Sequence, residues 1–414
     1  MLDHLNALAI HAYYAGEPDA GRRACERLLS QPLPPDLERQ TRTNRTWYTR
    51  RLADLVTEAT FRRIEIEPAR PGWSLFNPTL LAVDGELLGI VRSSNYRIEA
   101  GRYVIPDEDG DRIRTKNILV RVGEDLAVSD AKTILDPEYG QNDYPVVGLE
   151  DCRLRRTPNG VGVSATVRNA HGWDGRCRQA IVNLDLDGTD GPAFRNLRIL
   201  ESGDLQIHEK NWMPVEGRPE WVYACSHNGN TVTVRADDTL AGAYQILKRA
   251  KAPAIAREFR GGSQLVAVDG GFLAVIHEVA DGDAGRIYEH RLVRFDRSLA
   301  LTHVSEPFAF REPRTIEFAA GAAIVGDRLV VSFGVRDADR HARADARARP
   351  AGDPGAGPAR GGADGDGGPS AGPDGHATTG RSGRTLCDGA RRGGQQRRRR
   401  FCRGARAAPG GLAA

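Results

Sequence analysis

Five stretches of this 414-residue chain repeat one pattern: an apolar run, a turn pair able to take positive φ, and a second apolar run. They are "TLLAVDGELLGIV", "CRLRRTPNGVGVSATV", "WMPVEGRPEWVYAC", "SQLVAVDGGFLAVI" and "AAIVGDRLVVSFGV", with turns at Asp84-Gly85, Asn159-Gly160, Glu216-Gly217, Asp269-Gly270 and Gly326-Asp327. Each reads as a β-hairpin. The turns are spaced by 75, 57, 53 and 57 residues, with further strand-like sequence between them. Isolated hairpins are marginal in water, so units at a near-constant period must bury their faces against one another. The expected architecture over residues 70–339 is mostly β, a five-bladed β-propeller, with an open sandwich as the competitor.

The flanks differ from this body. Residues 1–62 read as helical: "LNALAIHAYYAGEPDAGRRACERLLSQPLP" carries apolar and small residues at helical spacing, a Gly-Glu break and closing prolines. It resembles one tetratricopeptide unit, with Ala7, Tyr13, Gly16, Ala20 and Cys25 near the small and aromatic positions of that pattern. A lone unit cannot bury both faces, so it packs on the next domain or is the end of a longer protein. Residues 340–414 are dominated by Gly, Ala, Pro, Arg and Asp, with no Ile, Val, Tyr or Trp. Such a tail cannot offset its ordering entropy, and we expect it to be disordered and to derive from a shifted reading frame.

Charge follows the same division. The formal net charge is +3, but residues 341–414 alone carry about +8, leaving a body near −5. That balance excludes nucleic acid as the main partner, and the "RRRR" run at 397–400 reads as solvated. Six cysteines show no C-x-x-C spacing, so neither a zinc site nor a redox pair is expected; Cys25, Cys152, Cys177 and Cys225 read as small core residues. With no signal pattern and no membrane-length apolar run, the expected compartment is the cytoplasm.

In a hairpin, the start of the first strand and the end of the second lie together, opposite the turn. Chemistry-bearing residues collect there: Asn77, Arg92 and Asn95; Glu150, Asp151, Arg153, Arg168 and Asn169; Lys210, Asn211, His227 and Asn228; Ser263, His277 and Glu278; Glu317, Arg336 and Asp337. One rim of the propeller is thereby predicted to be the ligand site. The adjacent acids in "GLEDCRLRR" then face a funnel, which explains their place at the mouth of a buried strand.

The ordered set "GLEDCRL", "HEKNWMP", "GGSQLV", "FLAVIHEV", "RLVRFD" and "GAAIVGDRLVVSFGVRDAD" resembles the motifs of the five-bladed β-mannoside phosphorylases and hydrolases, glycoside hydrolase family 130. The resemblance implies that Asp151 is the proton donor of an inverting reaction, with Glu150 and Arg153 binding sugar and holding the acid. The sequence departs from the family where Cys152 replaces a proline, where Gln264 follows "GGS", and where Ala267 and Val268 stand near an expected phosphate-binding lysine.

The expected function is therefore a carbohydrate-active enzyme working by inversion on a β-mannoside-like glycan through phosphorolysis, hydrolysis or glycosyl transfer. Asp151 would be the general acid, its pKa raised by desolvation and by Glu150. Hydrolysis would need a second carboxylate roughly 6.5–9.5 Å away, with Glu209, Glu278 and Asp337 as candidates. Phosphorolysis would need cations instead, from Arg168, Lys210 and His277. Asn77, Arg92, Asn95, Asn211 and Asp337 complete the expected substrate-binding set. The competing class is a non-catalytic glycan-binding propeller that partners a glycosyltransferase. On plainer readings Asp151 is a structural acid paired with Arg153, Lys210 a solvated rim residue, His277 a strand-end histidine, and Trp73 and Trp212 core aromatics. His208 and Glu209 lack a third ligand, so no metal and no cofactor is expected.

Overall fold

The computed structural model describes residues 2–336 except 100–101, 107–109, 111, 124, 138–143, 169–174, 201–207, 228–229, 237–241 and 283–284. The tail and the candidates Asn169, Asn228 and Asp337 lie outside the described residues.

Helices α1 (Leu2–Tyr14) and α2 (Pro18–Leu29) are joined through Gly16, whose φ of 72° turns the chain back. Their buried seam is Ala9, Ala12, Ala24, Cys25, Leu28 and Leu29, whereas Ala7 and Tyr13 face outward. Helix α3 (Pro35–Arg45) starts on a proline, which suits a first turn that has no amide partner to lose. Regular helix runs only to Arg45, followed by a 3-10 turn and by the single turn α4 (Leu52–Leu55). Beyond it Ile64, Ile66 and Ala69 lie against the core of the first sheet.

The strands follow in chain order. β1 (Arg50–Arg51) is a short arm. The first sheet contains β2 (Ser74–Val83) and β3 (Glu86–Ser94); a two-stranded ribbon, β4 (Arg97–Glu99) and β5 (Arg102–Val104), precedes its β6 (Ile113–Val122), β7 (Val128–Thr133) and β8 (Val146–Val147). The second sheet is β9 (Glu150–Thr157), β10 (Gly160–Val167), β11 (Arg178–Asp185) and β12 (Ala193–Leu200). The third is β13 (Met213–Pro214), β14 (Glu220–His227), β15 (Asn230–Ala236) and β16 (Tyr244–Lys251). The fourth gathers β17 (Arg260–Gly261), β18 (Val266–Val268), β19 (Gly271–Gly282), β20 (Gly285–Asp296), β21 (Leu301–Val304) and β22 (Phe308–Ala309), with β1 pairing in parallel on β22. The fifth is β23 (Glu317–Val325) with β24 (Arg328–Val335).

The five hairpins fall where the turn pairs indicate. Asp84 and Gly85 both have positive φ (51° and 87°), and Val83 pairs with Glu86 across them. Gly160, Gly217, Gly270 and Gly326 also lie at positive φ. Apolar cores join the sheets pairwise: Leu81 and Leu88 with Leu154 and Val163; Ile181 with Trp212 and Trp221; Met213 and Val222 with Phe272 and Phe295; Val275 and Phe308 with Ala319. Leu80 and Val91 of the first sheet share a core with Ala323 and Val330 of the fifth. Packing therefore runs from each sheet to the next and from the last back to the first.

The helices are bolted onto the fourth sheet by buried charge. Glu278 accepts from Arg42 (2.6 Å) and Arg291 (2.6 Å) and lies 3.1 Å from Arg45. Glu289 takes Arg45 at 2.6 Å and the Thr49 hydroxyl, and Glu26 of α2 takes Arg291 at 2.8 Å. Among the described residues no helix is long and apolar enough to cross a membrane, and no three His, Cys, Asp or Glu side chains form a metal-binding group.

Candidate active site

Three non-glycine residues with left-handed backbone stand at the first strands of three consecutive sheets: Asn77 (φ 39°), Asp151 (φ 52°) and Asn211 (φ 61°). Such conformations cost free energy and persist where the surroundings hold them. Bulges in the pairing at Phe76/Thr79 and at Ser164/Thr166 re-aim the side chains of Asn77 and Asp151. One hydrogen-bonded network then ties the three together.

Asn77 Nδ2 donates to Asp151 Oδ1 at 2.7 Å, and Arg92 Nη1 donates to the same oxygen at 3.1 Å. The other Arg92 amine holds Glu150 Oε1, so one guanidinium grips both acids. The Asp151 side chain remains 22 % exposed and that of Glu150 14 %, which leaves both within reach of a ligand. Arg153 does not pair with the Asp151 carboxylate. It donates instead to the Asp151 carbonyl (2.7 Å), the Gly262 carbonyl (2.7 Å) and Asn211 Oδ1 (3.2 Å), fully buried. The plainer reading of Asp151 thus had the wrong arginine: Arg153 fixes the backbone, and Arg92 carries the charge pair.

The two glycines of "GGSQLV" are required here. A Cβ at Gly261 would meet the Asn211 carbonyl at 1.9 Å, and one at Gly262 the Val275 carbonyl at 2.3 Å. Gln264, standing where the family resemblance expects a proline, is buried and bridges strands. Its side-chain nitrogen donates to the carbonyls of Ala322 (2.6 Å) and Leu80, and its oxygen accepts from the Ala322 amide at 3.1 Å. A cavity of about 20 Å³ lies at this turn-side end, among Leu81, Leu154, Val266 and Ala322, away from the acids. It has room for about one water molecule.

Electrostatics correct one expectation. Burial pushes the Asp151 carboxyl upward, but Arg92, Arg153 and the Asn77 amide outweigh it and hold the pKa below the ordinary carboxylate value. Asp151 is ionised in the unliganded protein, where a raised pKa was expected. The sequence reading placed Arg92 in the site but not its pairing with Asp151, 59 residues away in the chain.

The remaining candidates divide. Arg168 is half-buried, its Nε 3.4 Å from Cys177 Sγ, and it feels the charge of Glu150. Lys210 is exposed and follows buried Glu209 in the chain. His208, whose Nδ1 accepts from the Cys177 amide at 3.2 Å, is held below its ordinary pKa by burial and by Arg168, Lys210, Arg176 and Arg178. Those cations therefore share one neighbourhood. Arg176 escaped the sequence reading because it does not sit at a hairpin end, and His208 was weighed there only as a metal ligand.

His277 is buried, stacked on Tyr288 (5.1 Å) with Phe318 edge-on at 5.0 Å. Burial, then His290, Arg260, Arg153 and Lys210, hold it neutral. It cannot serve as a cation for phosphate, but its ring can still donate a hydrogen bond.

Other expected site residues are occupied elsewhere. Asn95 is buried on the backbone of the first sheet, donating to the Arg112 carbonyl (2.9 Å) and accepting from the Arg114 amide (2.7 Å). Glu278 points away from His277, as alternate residues of a strand do, and lies in the ion network that anchors the helices. Glu209 accepts the Tyr244 hydroxyl beside the core aromatics Trp212 and Tyr223. Glu317 caps the loop amides of Phe310, Arg311 and Glu312 at 2.6–2.9 Å, and Arg336 pairs with Glu312 at 2.7 Å. Ser263 accepts from the Val275 amide, and Trp73 is buried. The His227 side chain lies outside the described residues.

No protein-family model matches the chain, and no curated protein matches it. Among solved structures it is similar to a glycosyl hydrolase from Bacteroides ovatus, at 11% identity over 64% of this chain and 82% of that one, with a TM-score of 0.45. It is similar also to a structure titled for the GH130 family of mannoside phosphorylases, containing hydrolases that target β-1,2 mannosidic linkages in Candida mannan. There the identity is 11%, the coverage 66% and 88%, and the TM-score 0.44. Identity and superposition at this level say nothing of what the chain acts on.

Proposed function

We propose that the chain is a five-bladed propeller enzyme that cleaves a β-mannoside-like linkage by inversion, with inorganic phosphate as the nucleophile. The observation that carries this reading is that Arg168 and His208 meet at Cys177, with Arg168 Nε 3.4 Å from its Sγ and its amide 3.2 Å from His208 Nδ1, where the charges of Arg176, Arg178 and Lys210 are also felt. A dianion needs such convergent donors. Water would need a second carboxylate to activate it. Of the three candidates, Glu209 and Glu278 are occupied in the described structure, and Asp337 lies outside it.

In this mechanism a phosphate oxygen attacks the anomeric carbon as the bond to the leaving oxygen breaks. Asp151 passes a proton to that oxygen, and in net terms the proton of monohydrogen phosphate ends on the released hydroxyl. Asp151 begins ionised, so it must take up a proton before each cleavage. A sugar covering its exposed part removes water and favours the neutral form. Asn77 and Arg92 position the carboxyl oxygen, while Arg153 and Asn211 fix the backbone that carries it.

The ionised state of Asp151 also supports a second reading, a glycan-binding module in which Arg92 and Asp151 are a permanent pair. Phosphorus NMR on a panel of β-mannosides with and without inorganic phosphate separates the two. Phosphate-dependent appearance of an α-sugar 1-phosphate is the expected result. Binding without phosphorolysis, hydrolysis or transfer overturns the enzyme reading in favour of the module.

A further inference from the structure

Two arginines at Asp151 have their donors committed. Arg92 holds both acids, and Arg153 gives its three side-chain nitrogens to the carbonyls of Asp151 and Gly262 and to Asn211 Oδ1. A third arginine nearby does not. Arg260 opens β17, two residues before Gly262, and its half-buried guanidinium has no hydrogen bond or ion pair among the described residues. The buried arginines of the helix joint, Arg42, Arg45 and Arg291, all face carboxylates. A partly desolvated charge without a partner costs free energy, so an arginine held in this way points to an anion that arrives from outside.

The neighbours of Arg260 fix its place. It pairs directly with His277 across β17 and β19, which puts both side chains on one face, with Cβ atoms about 4.5–5.5 Å apart. A Cβ on Gly261 would meet the Asn211 carbonyl at 1.9 Å, and Lys210 precedes that residue. His277 is 2% exposed, and its Nδ1 is buried without a partner. The charge of Lys210 is felt at both His208 and His277, so it links this flank to the cations at Cys177.

The two cationic groups belong to different sheets. Arg168 follows β10 and Cys177 precedes β11, in the second sheet, whereas Arg260 and His277 stand in the fourth. Phosphate in the first group leaves the second for a charge carried by the sugar. One uncommitted guanidinium beside a neutral imidazole matches a single negative charge, and its planar fork matches a carboxylate. We propose that Arg260 is a specificity-determining residue that binds a carboxylate on the glycosyl unit, so that the preferred substrate is a uronic-acid sugar; this rests on the function proposed above.

The test compares wild type, Arg260→Gln and Arg260→Lys on methyl β-mannoside and on methyl β-mannuronoside, which carries a carboxylate at C6. Phosphorus NMR follows phosphorolysis, calorimetry measures binding, and circular dichroism confirms that the variants fold. Wild type is expected to favour the uronoside roughly ten- to a hundredfold in kcat/KM and in Kd, as charge-assisted hydrogen bonds provide. Arg260→Gln should lose that preference while keeping its kinetics on methyl β-mannoside and its KM for phosphate. Arg260→Lys retains the charge without the fork and should fall between. Equal use of both sugars by wild type, an equal loss on both in Arg260→Gln, or a raised KM for phosphate overturns the carboxylate site and leaves the enzyme reading standing. Preferential binding of the uronoside with no turnover of either sugar overturns the enzyme reading and upholds the carboxylate site. Binding of neither sugar overturns both.

Discussion

Two arginine–carboxylate clusters in this molecule use the same chemistry to opposite ends. Around Glu278, arginines from α3 and from β20 enclose a carboxylate that is 2% exposed, and every partner within hydrogen-bond reach is a cation. Around Asp151, one arginine shares itself between two acids that remain 14–22% exposed, and Asp151 itself stands at positive φ. In both, guanidinium charge outweighs burial and the carboxyl is held low, Glu278 at about 2. The first cluster is saturated and closed, which suits a joint. The second is under-supplied and open, which leaves valence for a ligand.

The largest expected difference between the clusters is catalytic. Asp151→Asn keeps the shape but cannot donate a proton, so turnover of a β-mannoside should fall by about 10²–10⁴, with binding changing far less. Steady-state kinetics beside calorimetry measure both. Glu278→Gln should leave turnover per folded molecule unaltered while destabilising the fold by about 3–5 kcal/mol, since buried arginines lose their counter-charge. Urea unfolding reads that loss. If Glu278→Gln abolishes turnover without lowering stability, the assignment of the two clusters is reversed.

Acid titration sharpens the contrast. The Glu278 pKa in the folded protein, about 2, lies below its ordinary value of 4.5. Its contribution is complete above the ordinary value and is lost as pH falls from there toward 2. By linkage that is about 3 kcal/mol, visible as a drop in Tm between pH 5 and pH 2 that Glu278→Gln lacks. At the open cluster, Arg92→Met should raise the Asp151 pKa, because it removes the charge that favours the carboxylate; carbon-13 NMR of the side chain follows the titration. The smallest effect is expected for Asn77→Gly. It loses an amide donor to a carboxylate but regains left-handed freedom, for a net destabilisation of about 1 kcal/mol.

Much of this was legible from hairpins alone. Period and turn chemistry located five strand pairs, and strand-end logic put Asn77, Arg92, Glu150, Asp151, Arg153 and Asn211 in one place. The same logic failed for Glu278 and Asn95. A strand-end residue can face either side, and two of the three arginines on Glu278 come from α3, more than 230 residues earlier. It failed again for the charge state of Asp151, because an acid's pKa depends on which arginine arrives from another sheet. Gln264 was read as a lost proline, whereas its role is a set of bonds between strands that no local pattern announces.

That glutamine has a consequence for traffic. Among the described residues its side chain ties β2 to β23, beside a void of about 20 Å³. On the function proposed above, a site reached from one side only would make the slower-leaving fragment of a cleaved glycan a competitor of the incoming one, read out as product inhibition.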